Sequence, residues 1–185
     1  MTSCRILIAC VGNIFLGDDA FGVEVARRLA RVELPEGVRV IDFGIRGLDL
    51  TYALLDASEA VILVDAAPRG GRPGTLYVVQ LPLDDPAEGG DGVLVEAHNL
   101  DPARVLRLAS TLGARVGRPI LVGCEPSPVD ASENFGTEMS AAARAAVDEA
   151  VPLIVSLVAR LLRGEEIEAS GDCTIFGKEA EPCCD

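Results

Sequence analysis

Two aspartates, Asp18 and Asp19, stand side by side directly after a glycine-punctuated loop, Gly12-Asn13-Ile14-Phe15-Leu16-Gly17. The glycines have the spacing of a phosphate-binding P-loop, but the Lys and Ser/Thr that such a loop needs are replaced by the two carboxylates, which would repel a polyphosphate. A G-x-G-x-x-G dinucleotide fingerprint is also missing from the loop. One aspartate is accounted for as a cap on the helix that follows, where a negative charge is favoured by ~0.3–1 kcal/mol. With the cap on either Asp18 or Asp19, one of the two carboxylates is left free to face a crevice, and Asp19 is either that group or the cap. Asp65 follows the apolar run Ala60-Val61-Ile62-Leu63-Val64. A carboxylate there is either satisfied by neighbouring backbone N–H groups or used as a ligand or catalyst. His98 is the only histidine, which excludes H-E-x-x-H and three-histidine zinc sites. A serine triad would need a G-x-S-x-G elbow, and an aspartate dyad of the pepsin kind a D-T-G or D-S-G; none is present. A lone loop histidine is ordinarily a surface group. Two carboxylates and one imidazole converging on one crevice would nevertheless suit a borderline divalent metal with open coordination positions. Arg46, in Gly44-Ile45-Arg46-Gly47, is either a solvated arginine or a group that recognises a partner's carboxylate.

The elements that must position these residues follow from periodicity. Arg5–Val11, Val38–Phe43, Ala60–Asp65, Gly74–Leu81 and Pro119–Cys124 read as five strands, the third apolar without a break, as in a strand covered on both faces. Helices are expected over Asp19–Arg31, Leu48–Ala57, Asp101–Leu112 and Glu138–Arg163, with Pro152 kinking or splitting the last. Strands alternating with helices imply right-handed crossovers and an α/β fold: three layers, α/β/α, around a mostly parallel, twisted, five-stranded sheet. The working site of such a sheet lies beyond the carboxyl ends of its strands. Gly12-Asn13, Asp42, Asp65 and Cys124-Glu125 all stand at those ends, and the loop bearing His98 follows the fourth strand.

Composition narrows the class. The chain has 185 residues, 49% hydrophobic and 24% charged, enough to bury the core of one domain. Its net charge of −13 is the reverse of a nucleic-acid binder's basic stripe. The longest greasy stretch, Ala150–Leu162, is interrupted by Pro152 and Arg160 and falls short of the ~20 residues a membrane span needs. With no signal peptide visible at Met1-Thr2-Ser3-Cys4-Arg5, a cytoplasmic protein without nucleic-acid or membrane partners is expected. The six cysteines form no C-x-x-C pair, and Cys10 and Cys124, at strand ends, read as small buried hydrophobes. Residues 164–185 carry seven carboxylates against Lys178 alone, together with Cys173, Cys183 and Cys184; this tail lacks periodicity and is expected to be mobile.

These residues, in this order, resemble the endopeptidases that mature [NiFe] hydrogenases. The family's opening motif is matched by Gly12-Asn13-Ile14-Phe15-Leu16-Gly17-Asp18-Asp19-Ala20-Phe21-Gly22. Gly123-Cys124-Glu125-Pro126 is similar to its glycine-x-x-proline strand end, and Phe135-Gly136 through Met139-Ser140 to the lead into its last helix. The resemblance spans about Arg5 to Arg163, making residues 1–163 a maturation-protease-like domain and 164–185 an appended tail without a counterpart. It implies three metal-contacting residues, Asp19, Asp65 and His98, with Asp19 and Asp65 also catalytic. The family's substrate-recognition loop falls on Asp42-Phe43-Gly44-Ile45-Arg46-Gly47, which departs from the usual D-G-G-T-x-G, and assigns Asp42, Gly44, Arg46 and Gly47 to client choice.

The implied activity is removal of the C-terminal extension of a [NiFe] hydrogenase large-subunit precursor after nickel insertion. The enzyme would carry no metal of its own and would contact the client's nickel, with Cd²⁺ or Zn²⁺ as surrogates. Such enzymes are sometimes grouped with aspartic peptidases; a metal-polarised carbonyl and a carboxylate-activated water both remain chemically open. Two rivals stand beside this reading: a non-catalytic chaperone for the nickel-loaded subunit, and a small metal-dependent hydrolase acting elsewhere.

Overall fold

The computed structural model describes residues 4–56, 59–81, 102–128, 138–167 and 174–176. Strand β1 (Ile6–Val11) is buried along its whole length and leads through a single 3₁₀ turn (Gly17–Ala20) into helix α1 (Phe21–Leu29). Strand β2 (Val38–Gly44), helix α2 (Gly47–Leu55), strand β3 (Ala60–Ala66) and strand β4 (Leu76–Gln80) follow. Helix α3 (Pro102–Thr111), strand β5 (Pro119–Cys124), helix α4 (Ala141–Leu162) and a short strand β6 (Thr174–Phe176) complete the order.

The sheet order is β2-β1-β3-β5-β4-β6. β1 pairs in parallel with β2 and β3, and β3 with β5, whereas β4 runs antiparallel to β5 and to β6. The α/β, mostly parallel expectation therefore holds, with one correction: the sheet has six strands rather than five. The sixth comes from the acidic tail, where Thr174–Phe176 pair with Leu76–Val78. Three residues are too few to show an alternating pattern in sequence, so only the pairing reveals them.

Side-chain alternation builds the layers. Ile6, Ile8 and Cys10 of β1, with Ile62, Val64, Ile120 and Val122, meet Phe21, Val25 and Leu29 of α1 and the inner face of α4. The opposite set, Leu7, Ala9, Val61, Leu63 and Leu121, meets Leu50 and Leu54 of α2 and Leu106 and Ala109 of α3. Each such fully buried aliphatic side chain contributes roughly 1.5–3 kcal/mol. Three layers result, two helices on each side of the sheet. Arg28 of α1 and Asp148 of α4 form an ion pair across the outer surface of one layer.

Helix α1 sits unusually close to the sheet. A β-carbon on Gly22 would lie 2.1 Å from the Val11 carbonyl oxygen and 2.5 Å from that of Val64. Only glycine lets the first turn of α1 settle onto the ends of β1 and β3 together. Helix α4 is one continuous element through Pro152, so the expected split is absent. The carbonyl that Pro152 leaves without an N–H donor belongs to Asp148, and both residues lie on the exposed side of the helix, where solvent can satisfy it. No helix among the described residues is long and apolar enough to cross a membrane.

Candidate active site

The strand order 2-1-3 makes the gap between the carboxyl ends of β1 and β3 the point where connections leave the sheet in opposite directions, the place where α/β sheets bind their ligands. Asp65 closes β3 at that gap and is 9% exposed. Asp19 enters from the other side, on the 3₁₀ turn that follows β1 and packs against β3. The sequence expected Asp19 inside the first helix; it lies instead in the tighter turn just before it.

The loop carrying Asp19 is shaped by its own backbone. Gly12 has φ +143°, and a β-carbon on it would stand 2.0 Å from the Asp19 carbonyl oxygen, so the loop closes back on itself only because residue 12 is glycine. The Asn13 N–H donates both to that carbonyl, at 3.2 Å, and to Asp19 Oδ2, at 2.8 Å. Among the described residues this is the one hydrogen bond to the Asp19 carboxylate. Partial burial raises its pKa, and the Asn13 bond only partly offsets the rise.

Asp18 has the opposite environment. Its Oδ1 accepts from the Ser140 N–H at 2.6 Å, and its Oδ2 from the Ser127 N–H at 2.8 Å and the Ser140 hydroxyl at 2.9 Å. Burial pushes its pKa up, but the bonds from Ser127 and Ser140 outweigh that and hold it below the usual carboxylate range. Neither the 3₁₀ turn nor α1 has a side-chain cap. The capping expected of one aspartate is made elsewhere: Asp18 sits at the N-terminus of α4, whose cap is Ser140, itself accepting from the Ala143 N–H at 3.1 Å. The two adjacent acids thus divide, one anchored and ionised, the other desolvated.

Replacing Asp18 by Ala should destabilise the protein by roughly 2–3 kcal/mol, because two backbone N–H groups and a hydroxyl lose a charged acceptor. Since the folded-state pKa of Asp18 is depressed, its contribution is full above the ordinary aspartate value and is lost as pH falls through the depressed one. Denaturant titrations at descending pH should show the wild-type advantage over Asp18→Ala shrinking only at the acid end. A gap independent of pH would contradict this account.

A second buried carboxylate fixes the loop after Asp65. Glu125, at the end of β5, accepts from the Tyr77 hydroxyl at 2.6 Å and from the backbone N–H groups of Arg69 at 2.8 Å and Gly70 at 3.1 Å. Burial raises its pKa, and these donors together more than reverse the rise. The Arg69 guanidinium lies over the Tyr77 ring, 5.8 Å from its centroid. These anchoring roles of Asp18 and Glu125 escape the sequence; the one local signal was a serine, Ser140, just before a helix.

At the end of β2, Asp42 Oδ1 accepts from the Gly44 N–H at 2.9 Å. The β1–β2 ladder shifts register between Cys10 and Val11, so that Val11 pairs with Gly44 and re-aims the chain beside the crevice. Arg46 donates to the Asp42 carbonyl at 2.6 Å and the Phe43 carbonyl at 3.1 Å, and stands 3.5 Å from Asp49, while its side chain remains largely exposed. The Gly12 N–H donates to the Gly44 carbonyl at 3.0 Å, tying this loop to the Asp19 loop. Gly47 begins α2.

The two buried cysteines are disfavoured as thiolates. Burial, reinforced by Asp18 and Glu125, pushes the Cys124 thiol up to about 12, and burial beside Asp42 pushes the Cys10 thiol higher still. His98, Cys173, Cys183 and Cys184 lie outside the described residues. Among those described, no three His, Cys, Asp or Glu side chains group as a metal site.

The hydrogenase maturation protease family model matches residues 23–157. The hydrogenase expression/formation protein HupD of Rhodobacter capsulatus is 31% identical over 180 residues, covering 96% of this chain and 80% of that protein. The hydrogenase maturating endopeptidase HybD from E. coli superposes with a TM-score of 0.66 at 26% identity, over 91% of this chain and 99% of that one. A hydrogenase 2 maturation peptidase from a Thaumarchaeota archaeon superposes at 0.62 with 30% identity, over 84% and 98%. The chain belongs to the hydrogenase maturation protease family and is, by that membership, an endopeptidase.

Proposed function

We propose that this endopeptidase removes the C-terminal extension of a [NiFe] hydrogenase large-subunit precursor once nickel is inserted, and that the client's nickel is its recognition handle. The observation that carries this reading is the placement of Asp19 on the 3₁₀ turn after β1 and of Asp65 near the end of β3, on either side of the switch point, with Asp18 pinning that turn to the segment after β5 and Glu125 pinning the loop that follows β3. Asp19, whose raised pKa brings proton exchange closer to neutral pH, is suited to take a proton from an attacking water and to return it to the leaving amine. Asp65, near the end of β3, is assigned as its partner on the other side of the gap. His98 is assigned as the third contact to the client's metal. Cd²⁺ and Zn²⁺ accept the same oxygen and nitrogen donors and serve as probes.

The loop Asp42–Gly47 is assigned to client recognition. Its shape is fixed from within, by Asp42 on the Gly44 N–H and by Arg46 on two carbonyls, so it presents a preformed rather than adaptable edge. The test is incubation of purified protein with nickel-loaded precursor, followed by intact-mass analysis of the large subunit. One discrete mass loss at the C-terminus is expected. Stable association without mass loss would favour the chaperone, and neither association nor mass loss would overturn both.

A further inference from the structure

Eight large hydrophobic side chains are exposed among the described residues, and their distribution is uneven. Ile14, Phe15 and Leu16 crown the Asp19 loop, and Ile45, Leu48 and Tyr52 line the Asp42–Gly47 loop and the outer face of α2. Phe15 is 68% exposed and Leu48 60%. Of the remaining two, Leu55 continues the α2 face away from the crevice, and only Leu112 lies elsewhere. The roots of the two loops are joined by the Gly12–Gly44 hydrogen bond, so the two sets belong to one rim beside the carboxylates.

Helix α2 makes the anomaly plain. Leu50, Thr51 and Leu54 already bury its inner face against the sheet and α3, which is all the core requires of it. Leu48, Tyr52 and Leu55 recur at i, i+4 and i+7 on the side turned to water, where a helix ordinarily places polar residues. The Asp19 loop likewise needs glycine and asparagine for its conformation, yet nothing in its hydrogen bonding calls for three consecutive exposed apolar residues. Contiguous apolar surface rimmed by charge marks an interaction site rather than chance exposure.

We propose that this rim seats an apolar segment of the client polypeptide next to the bond to be cut. The inference rests on the protease reading of the crevice and adds to it the surface that docks the client. Charge selects the occupant. A second copy would bring another −13 against this one, and the rim itself is edged by Asp42 and Asp49 with Arg46 as the nearest cation, already 3.5 Å from Asp49. An apolar segment with basic or neutral flanks fits; a like-charged copy does not. Position selects it too, because a segment lying across both loops is carried directly to Asp19 without any rearrangement of the fold.

The test uses Phe15→Ser, Leu48→Ser and the double variant, with Leu112→Ser as a control at a distant exposed site. All three positions are exposed, so thermal melting should show the fold unchanged in all four variants. With nickel-loaded precursor as probe, the rim variants should raise KM at least tenfold, more in the double variant, while kcat stays within about twofold, the pattern of lost docking rather than lost chemistry. Leu112→Ser should behave as wild type. Wild-type processing with unchanged KM in the rim variants would overturn the docking surface and leave the protease reading intact. Failure of the wild type to bind or process the precursor would overturn both. A concentration-dependent dimer, seen by sedimentation and abolished by Phe15→Ser, would reassign the rim to self-association and overturn the proposal as well.

Discussion

Asp19→Asn and Asp65→Asn should each slow precursor processing by about 10³-fold or more, and Asp19→Asn should do so with no loss of stability. The size follows from removing a positioned proton acceptor, which typically supplies 10²–10⁴-fold. Stability separates the two adjacent acids. The pKa of Asp19 is raised in the fold, so its ionised form is held there at a cost that is present at neutral pH and relieved as pH falls through the raised value. Asparagine is uncharged and its amide oxygen can still accept from the Asn13 N–H, so the variant should melt at or above the wild-type temperature. For the wild type, the processing rate should decline on the acid side at a higher pH than an ordinary aspartate would give. Matched melting curves and pH–rate profiles check all three statements. An Asp19→Asn protein that processes normally would remove that residue from the chemistry, and retained processing by Asp65→Asn would favour a site built on Asp19 alone.

The division of labour between Asp18 and Asp19 marks where the sequence is legible and where it is not. Three of the four parallel strands, β1, β3 and β5, are legible as apolar runs, with β3 unbroken from Ala60 to Val64, whereas β2 at the sheet edge shows only a partly apolar stretch around Arg39 and Asp42. Strand ends then give the crevice, and with it Asp42, Asp65 and the loop before Asp19. The partners of Asp18 are not legible, because Ser127 and Ser140 lie 109 and 122 residues away and meet it only once α4 packs beside α1. The same holds for Glu125, whose donors Tyr77, Arg69 and Gly70 arrive from a different strand and loop. A carboxylate's type shows in sequence; whether it is anchored or desolvated is a property of the assembled fold. Thr174–Phe176 fail for another reason: an edge strand of three residues takes its identity from the partner it pairs with, Leu76–Val78, and not from any pattern of its own.

Cleavage should also depend on the state of the client, with one cut in the nickel-loaded large subunit and none in the empty form. Asp19 and Asp65, with His98 as the assigned third donor, are two carboxylates and one imidazole, which leave several coordination positions open on any ion they meet. An ion already held by the client's own ligands can fill its remaining positions from this set. The shared ion would then fix the scissile segment against the carboxylates, while the apolar rim of Phe15 and Leu48 holds the flanking chain. Holding reactants in place can be worth about 7–11 kcal/mol of barrier, so removing the handle removes most of the rate without touching a catalytic group. Free peptides matching the extension, which lack the ion and the folded body that presents it, should accordingly be poor substrates even at high concentration. The comparison to make is intact-mass analysis of loaded and empty precursor incubated with wild type, Asp19→Asn and His98→Ala. Loss of cleavage in His98→Ala together with weaker binding of Ni²⁺ or Cd²⁺ would tie the imidazole to the handle. Equal cleavage of loaded and empty precursor by the wild type would show that the enzyme reads the polypeptide alone, and that the two carboxylates act on the amide without any part in sensing the metal.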